Sequence, residues 1–214
     1  MKILAVETST NICGLTYSID GEHVCTVEAD SHRKHAEVLP AFFQDLQNQI
    51  SFHLNELDGI AISIGPGSFT GLRVGLSFAK GLAFSHNLPI IPVPTLLSIA
   101  QLSKKDGPIG VMLHSHGEKV YFQSFQSQNM RVTPSENIDL YSWKDVLNFD
   151  SEDLQWVHWG CEKYEQSFSH FTTVQPSSKG IAELSEIHFN DWVKADPKMI
   201  VPNYISSFNL GVSK

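Results

Sequence analysis

The pattern of hydrophobic and polar positions predicts alternating strands and helices over the first hundred residues. Short apolar runs bounded by turn residues indicate strands, and apolar positions that recur every three or four residues indicate helices. We expect strands at 2–6, 12–19, 22–28, 58–64 and 90–93, and helices at 35–50, 68–85 and 94–103. Asp20-Gly21 predicts a tight turn between the second and third strands, because this dipeptide accepts positive φ angles. Ser68 predicts the N-terminal cap of the helix at 68–85, and Asn87 with Pro89 predicts its end. The order β-β-β-α-β-α-β-α indicates an α/β protein.

The second half of the chain carries weaker signals. Residues 104–108 (Lys-Lys-Asp-Gly-Pro) are the best candidate for a linker, so we expect two subdomains, 1–103 and 104–214. Beyond the linker we expect strands at 109–113, 119–126 and 155–159, and short helices near 142–148 and 180–194.

Two predicted helices carry the most information about function. In the helix at 68–85, small residues recur at every fourth position and form a ridge that lets another backbone approach closely. The ridge consists of Gly71, Gly75, Ala79 and Ala83. Leu72 and other large apolar residues occupy the rest of this helix, which indicates that it is covered on more than one side. The apolar seam of the helix at 35–50 consists of Ala36, Leu39, Phe43, Leu46 and Ile50.

The pattern allows two interpretations of this helix pair. Both helices can belong to the core of the protein itself, or they can form an exposed pair that docks with a similar pair from another chain. Under the second interpretation the expected interface consists of Ala36, Leu39, Phe43, Leu46, Gly71, Leu72, Gly75, Ala79 and Ala83.

The composition is that of a globular, acidic protein. Hydrophobic residues make up 42% of the chain and charged residues 18%, which is not typical of disorder. The formal net charge of −8 argues against a protein that binds nucleic acid by itself, since affinity for the phosphate backbone requires clustered Lys and Arg. The cysteines are widely spaced and form no CxxC pair, which favours a reducing cytoplasm. No apolar run approaches the roughly 20 residues of a membrane span, so we expect a soluble protein.

The loops after the predicted strands match no complete phosphate-binding motif. The loop at 65–71 precedes a helix, but it lacks the Lys of a P-loop and the third glycine of a dinucleotide fingerprint. The polar cluster at 7–10 (Glu-Thr-Ser-Thr) contains no glycine that would let the backbone approach a phosphate closely. We therefore expect no bound nucleotide or other cofactor.

Histidines supply only weak candidates for metal binding. His32 and His35 are three positions apart at a predicted helix start, and His114 and His116 alternate along a strand beside Glu118. Neither set forms a recognised metal motif, so we expect no metal site.

Several motifs of the first hundred residues resemble those of one known family. They lie at 3–10 (ILAVETST), 33–37 (RKHAE), 39–40 (LP), 65–75 (GPGSFTGLRVG), 79–83 (AKGLA) and Pro89. The resemblance is to the TsaB (YeaZ) family of bacterial tRNA threonylcarbamoyladenosine (t6A) biosynthesis subunits, and the run at 65–73 is highly specific to that family.

The resemblance implies an ASKHA-type (actin-like ATPase) fold and a non-catalytic role. A family member binds the larger paralogue TsaD as a heterodimer, the ATPase TsaE completes the complex, and the complex modifies adenosine 37 of tRNA. Contact with tRNA is then indirect. The helix pair at 35–50 and 68–85 corresponds to the family's contact with TsaD and also allows self-association. The alternative is a metal- or ATP-dependent enzyme of the same superfamily, either a transferase or a glycoprotease-like protein.

The same resemblance identifies positions at which this chain departs from its paralogue and its family. TsaD carries a His-x-x-x-His metal motif, and the corresponding positions here are Thr95 and Ile99. In the second half, the runs at 114–121, 160–162 and 202–206 lack the family's usual Asp-Ala-Arg, Gly-Asp-Gly and Pro-x-Tyr-x-Arg sequences. These departures concern loops rather than the fold.

Overall fold

The first half of the chain builds a mixed β-sheet. The structure, a computed structural model, describes residues 1–31, 34–151 and 153–205. The first sheet has the strand order β3-β2-β1-β4-β5. Its strands are β1 (Lys2–Glu7), β2 (Ile12–Ile19), β3 (Glu22–Asp30), β4 (Gly59–Ser63) and β5 (Ile90–Val93). The hairpin strands β1, β2 and β3 pair antiparallel, whereas β1, β4 and β5 pair parallel.

A second sheet is built from residues that follow the predicted linker. Its strand order is β11-β10-β6-β7-β8, with β9 paired to β7. The strands are β6 (Gly107–His116), β7 (Lys119–Gln128), β8 (Arg131–Pro134), β9 (Asp139–Ser142), β10 (Gln155–Trp159) and β11 (Thr172–Thr173).

Helices cover the faces of both sheets. The α-helices are α1 (His35–Gln49), α2 (Phe69–His86), α3 (Thr95–Leu102), α4 (Trp143–Val146), α5 (Ser178–Ile187) and α6 (Phe189–Trp192). Short 3-10 turns occur at Leu54–Glu56, Leu147–Phe149, Glu162–Ser167 and Pro197–Met199. Among the described residues, none of these helices is long and apolar enough to cross a bilayer.

Local chemistry sets the turn and helix ends as the sequence predicts. Asp20 and Gly21 have φ angles of 49° and 85°, which is the positive pair that a tight hairpin requires. The Ser68 hydroxyl caps α2 by accepting a hydrogen bond from the Gly71 amide at 3.2 Å. Asn87 ends α2 in the left-handed conformation, with φ 54°.

The first sheet has an apolar core on each face. Helices α1 and α2 cover one face, where Leu4, Val6 and Ile60 are fully buried. On the opposite face, Ile3 and Ala5 share a cluster with residues of α3, α5 and the second sheet. Helix α5 follows the second sheet in sequence but packs on the first sheet, so the two sheets do not divide the chain at one point. The boundary between subdomains at 103/104 stays a prediction.

Three details of the second half differ from the predictions. Strand β6 begins at Gly107, inside the predicted linker. The helix predicted near 180–194 is interrupted at His188, whose φ of −113° and ψ of 18° are not helical. Strands β8, β9 and β11 were not predicted, because segments of two to four residues are too short to show a periodic pattern.

Candidate functional site

The small-residue ridge of α2 faces the interior of the protein. A Cβ added to Gly71 would lie 2.1 Å from the Thr8 carbonyl oxygen, and one added to Gly75 would lie 2.0 Å from Thr8 Oγ1. Ala79 and Ala83 are 0% and 1% exposed. The ridge therefore lets α2 lie directly on the end of β1, which is the first of the two interpretations.

This orientation corrects most of the expected interface. The seven residues of the predicted set that lie in the protein's own core are Leu39, Leu46, Gly71, Leu72, Gly75, Ala79 and Ala83. They are enclosed because α2 packs on β1 and β4, α1 packs on β2 and β3, and the two helices pack on each other. Ala36 is exposed and Phe43 is half-buried, so these two stay accessible.

The exposed side of α2 presents a different set of residues. Arg73, Ser77, Gly81 and Phe84 follow one another at steps of four, four and three, and all four are exposed. No heavy atom lies within 4 Å of the place where a Gly81 Cβ would stand. Phe84 is 82% exposed, the largest value among the described large hydrophobic residues. We name these four residues the outer strip.

A groove separates the outer strip from α1. It encloses about 370 Å³ and is lined by Ala36, Leu39, Pro40, Arg73, Val74, Ser77 and Phe78. The Phe43 and Phe78 rings meet edge to face at 5.8 Å and hold the two helices together below it. The groove is mostly apolar, with the Arg73 guanidinium at one end.

The carboxyl ends of β1, β4 and β5 meet at one edge of the first sheet, where open α/β sheets commonly bind ligands. Glu7 ends β1 and is completely buried. Its Oε1 accepts hydrogen bonds from the Ser9 amide at 2.5 Å and the Ser63 hydroxyl at 3.1 Å. Burial raises the pKa of the Glu7 carboxyl, although these hydrogen bonds oppose the shift and nearby Glu28 adds to it.

The protein's own backbone fills this strand-end site. A Cβ added to Gly67 would lie 2.1 Å from the Ser9 carbonyl oxygen, which already accepts a hydrogen bond from the Ser68 amide at 2.6 Å. Four buried polar atoms here have no hydrogen-bond partner within the described part of the chain: Glu7 Oε2, Thr8 Oγ1, Ser9 Oγ and Thr95 Oγ1. At Gly67 and Gly71, the loop and the start of α2 lie directly against the backbone that follows β1.

Thr95 and Ile99, which the family resemblance predicts to stand where TsaD has its two histidines, lie inside the fold. Thr95 and Ile99 are both fully buried on α3. The Thr95 amide donates a hydrogen bond to the Gly65 carbonyl oxygen at 3.0 Å, which ties α3 to the loop before α2. Neither a hydroxyl nor an alkyl side chain replaces an imidazole as a metal ligand.

The histidine candidates do not converge. His32 lies outside the described residues, and His35 is buried beside Ser31 with a lowered pKa, chiefly because burial disfavours its charged form. A register shift between His114 and His116 breaks the shared face that simple alternation predicted. The described residues contain no group of three or more His, Cys, Asp or Glu side chains that is placed to hold a metal ion.

Comparison with known proteins establishes the family. A family model described as TsaD, tRNA N6-adenosine threonylcarbamoyltransferase, matches residues 27–174, which is more than half of the chain. The tRNA threonylcarbamoyladenosine biosynthesis protein TsaB of Escherichia coli (strain K12) is 30% identical over 165 residues, covering 73% of this chain and 70% of that protein. This chain belongs to the TsaB family. The resemblance stated from its motifs is confirmed.

A second TsaB relative and a solved structure agree with this assignment. The TsaB of Haemophilus influenzae (strain ATCC 51907 / DSM 11121 / KW20 / Rd) is 31% identical over 154 residues, 69% of this chain. That match spans 62% of the Haemophilus protein, which is less than two-thirds of its length. A crystal structure of a protein from Pseudomonas aeruginosa with similarity to peptidase YEAZ superposes with a TM-score of 0.82 at 22% identity, covering 96% of this chain and 99% of that one. The predicted ASKHA-type α/β fold is confirmed.

Sequence reasoning missed the outer strip of this TsaB family member. Ser77, Gly81 and Phe84 form a stripe at helical spacing parallel to the ridge, so the signal was present in the sequence. It was overlooked because a ridge of small residues stands out more than a stripe that mixes Arg, Ser, Gly and Phe.

Proposed function

We propose that this chain is a non-catalytic subunit of the t6A machinery that binds a TsaD-type protein through the outer surfaces of α1 and α2. One observation carries the proposal: the outer strip stays open on a helix whose other sides are covered. Phe84 is 82% exposed there, and Gly81 has open space beside it. An aromatic side chain left in water next to an open glycine is typical of a surface that a partner covers.

The chemistry of the strip suits a second helix. Ser77 and Gly81 are small, so a partner helix can approach the α2 backbone closely and gain many dispersion contacts. Phe84 supplies the large apolar anchor of the kind that dominates binding energy. On α1, Ala36, Pro40 and Ala41 are exposed and continue the surface across the groove.

A TsaD-type partner is favoured because the TsaD family model itself matches residues 27–174, the region that contains both helices. A paralogue of this fold presents a similar helix pair, and two similar pairs pack about a local twofold axis. The same surface also allows a homodimer of this chain. In this proposal TsaE completes the complex, and tRNA reaches this subunit only through its partners, in keeping with the net charge of −8.

The non-catalytic part of the proposal is supported by the strand-end site. The loop that follows β1 lies directly against the start of α2, because Gly67 and Gly71 approach the carbonyl oxygens of Ser9 and Thr8. The positions that correspond to metal ligands in the paralogue are Thr95 and Ile99, both buried. A chain built in this way contributes to t6A formation by stabilising its partner's active form, since binding to the folded state stabilises that state by mass action.

The test compares single substitutions on and off the outer strip. Gly81→Leu and Phe84→Asp each weaken binding to a TsaD-type partner by at least about tenfold, because an interface anchor is worth on the order of 2 kcal/mol. The matched control is Lys179→Leu, an exposed position on α5 at the opposite face of the sheet. Affinity is measured by titration calorimetry, and circular dichroism establishes that each variant is folded. Unchanged affinity of both strip variants would refute the assigned surface.

A second experiment separates the subunit from an enzyme. The formation of t6A is measured with TsaD, TsaE and the carbamoyl-adenylate supplier, with and without this chain. The proposal expects activity to depend on this chain, and expects Phe84→Asp to lower it while Lys179→Leu leaves it unchanged. Stoichiometric, micromolar ATP binding by the isolated chain would instead favour the enzyme interpretation.

A further inference from the structure

A second cleft lies between the C-terminal half of α2 and the segment at 194–204, which we name the C-terminal strap. The cleft encloses about 500 Å³ and is lined by Lys80, Ala83, Phe84, Asn87, Leu88, Ala195, Asp196, Pro197 and Lys198. Phe84 also belongs to the outer strip, and the other end of that strip lines the groove beside α1. The outer strip therefore connects the groove with the cleft.

Backbone hydrogen bonds and a buried side chain hold the C-terminal strap in place. At its start, Lys194 and Ile90 exchange backbone hydrogen bonds of 2.9 and 3.1 Å, so the strap pairs with the edge strand β5. Ile200 is buried in the same apolar core as Ala79 and Ala83 of α2. Near its end, the Asn203 amide donates a hydrogen bond to the Ile64 carbonyl oxygen at 2.7 Å. The cleft is therefore preformed in the folded chain.

The cleft is positively charged, although the protein as a whole is acidic. Lys80 and Lys198 line it, and no described residue forms an ion pair with either ammonium group. Asp196 is the one carboxylate among the lining residues, and its Oδ1 accepts a hydrogen bond from the Lys198 amide at 3.0 Å. Two ammonium groups and one carboxylate give the lining a net charge of +1, whereas the whole chain carries −8. The lining residues therefore attract an acidic group.

Exposed apolar side chains lie beside the two lysines. Phe84 on α2 is 82% exposed, and Met199 and Val201 on the strap are 77% and 70% exposed. These are the three largest exposed fractions among the large hydrophobic residues that the structure describes. A concentration of exposed apolar side chains indicates a surface that another molecule covers. That molecule has to present apolar groups together with a negative charge.

We infer that the cleft receives a segment of the TsaD-type partner in which a large apolar side chain stands next to a carboxylate. The apolar side chain packs between Phe84 and Pro197, and the carboxylate pairs with Lys80 and Lys198. The inference rests on the proposed function, because Phe84 makes the cleft continuous with the outer strip that the partner covers. A second copy of this chain fits the cleft less well, since two chains that each carry −8 repel one another.

The lysine pair gives the contact its specificity. A partner with the carboxylate forms ion pairs that the docked segment shields from water, and such complementarity favours the correct partner and speeds its association. A protein that offers only an apolar segment would strip water from both ammonium groups without supplying a counter-charge, which disfavours its binding.

Charge reversal tests the inference with the full chain and the TsaD-type partner. Lys80→Glu and Lys198→Glu are each expected to weaken binding at least about tenfold, because a like charge then faces the partner's carboxylate. The matched control is Lys179→Glu on α5, which changes the net charge by the same amount at an exposed position. It is expected to change the affinity little, because charges farther apart than a Debye length of about 8 Å are screened at physiological salt. Titration calorimetry measures the affinities, and circular dichroism establishes that each variant is folded. Losses no larger than that of the control would overturn the inference.

Carbodiimide cross-linking locates the contact. The reagent joins an ammonium group to a carboxylate without a spacer, so it captures pairs that already lie at ion-pair distance. Cross-links are expected from Lys80 or Lys198 to an Asp or Glu of the partner, and none from Lys179. Replacing the cross-linked carboxylate by Lys in the partner is expected to restore binding of the corresponding Lys→Glu variant. Cross-links of these lysines only to a second copy of this chain would assign the cleft to a homodimer and overturn the inference.

Gly81→Leu separates this inference from the proposed function, because Gly81 belongs to the outer strip but does not line the cleft. If Gly81→Leu weakens binding while both lysine variants behave like the control, the proposed function stands and the inference about the cleft fails. If the unmodified chain does not bind the partner at all, both fail.

Discussion

Thr8 Oγ1 lies 2.0 Å from the place that a Cβ of residue 75 would occupy, so the structure leaves no space for any side chain larger than that of Gly75. This contact places the end of β1 directly against the α2 backbone. Substitutions in the ridge of small residues therefore report on the internal packing of the chain and not on partner binding.

Gly75→Ala is expected to destabilise the isolated chain by about 1–3 kcal/mol, because overpacking moves Thr8 or the helix. Gly81→Ala is the matched control in the same helix, since its Cβ would meet open space. It is expected to stabilise the chain by about 0.5–1 kcal/mol, the usual gain when alanine replaces an exposed helical glycine. Urea denaturation of the three proteins measures both changes. A Gly75→Ala variant as stable as Gly81→Ala, or more stable, would contradict the orientation of α2.

The buried Glu7 carboxyl predicts that stability falls as the pH rises. Burial raises the pKa of Glu7 in the folded chain, so this group favours folding below its unfolded pKa and loses that contribution as the pH rises through the folded pKa. Glu7→Gln keeps an acceptor for the Ser9 amide and the Ser63 hydroxyl but cannot ionise. The variant is therefore expected to gain stability relative to the unmodified chain as the pH rises above about 4.5, the ordinary pKa of a glutamate side chain. Denaturant midpoints at several pH values measure the difference, and parallel curves would contradict the prediction.

His35 predicts the opposite dependence at lower pH. Burial lowers its pKa in the folded chain, although hydrogen bonds with the Ile12 and Thr10 backbone oppose the shift. The unfolded chain then takes up a proton first, so stability is lost as the pH falls from about 6.5 through the folded pKa. His35→Gln is expected to reduce this loss as the pH falls below about 6.5, the ordinary pKa of a histidine side chain. The two proteins differ only at position 35, so an unchanged pH slope would argue against a buried neutral His35.

Glu28 joins the first sheet to the C-terminal half of the chain. Its Oε2 accepts hydrogen bonds from the Ser177 hydroxyl at 2.7 Å and from the Ser178 amide at 3.3 Å, at the start of α5. Glu28→Ala is expected to cost about 1–3 kcal/mol, because it leaves the buried donors of Ser177 and Ser178 unpaired at a helix N-terminus. Glu28→Gln keeps one acceptor oxygen and is expected to cost less. Hydrogen exchange of α5 amides should quicken in the alanine variant, and an unaffected α5 would show that the cap is dispensable.

The sequence was most informative where short-range chemistry determines the structure. The turn at Asp20-Gly21, the cap at Ser68 and the end of α2 at Asn87 each depend on residues within four positions, and all three are confirmed. The family resemblance rested on motifs of the same local kind. Short strands such as β8 and β9 depend on pairing with β7 and carry too few residues to be predicted.

The candidate site was harder to predict for a physical reason. A ridge such as Gly71 and Gly75 shows that some backbone approaches closely, but helical spacing does not identify which one. The approaching group proved to be Thr8, more than sixty positions away in sequence. The predicted contacts at Ala36 and Phe43 stay untested, and the surface now proposed for a partner lies on the opposite side of the same helix from the ridge.

The return of α5 to the first sheet bears on how this protein is made. While the ribosome has synthesised only the first hundred residues, Ile3 and Ala5 lack the covering that Ile181, Ala182 and Leu184 later provide. The nascent chain therefore carries an uncovered apolar sheet face until most of its length has emerged. We therefore expect a truncated product that lacks α5 to be prone to aggregation, because that apolar face stays uncovered.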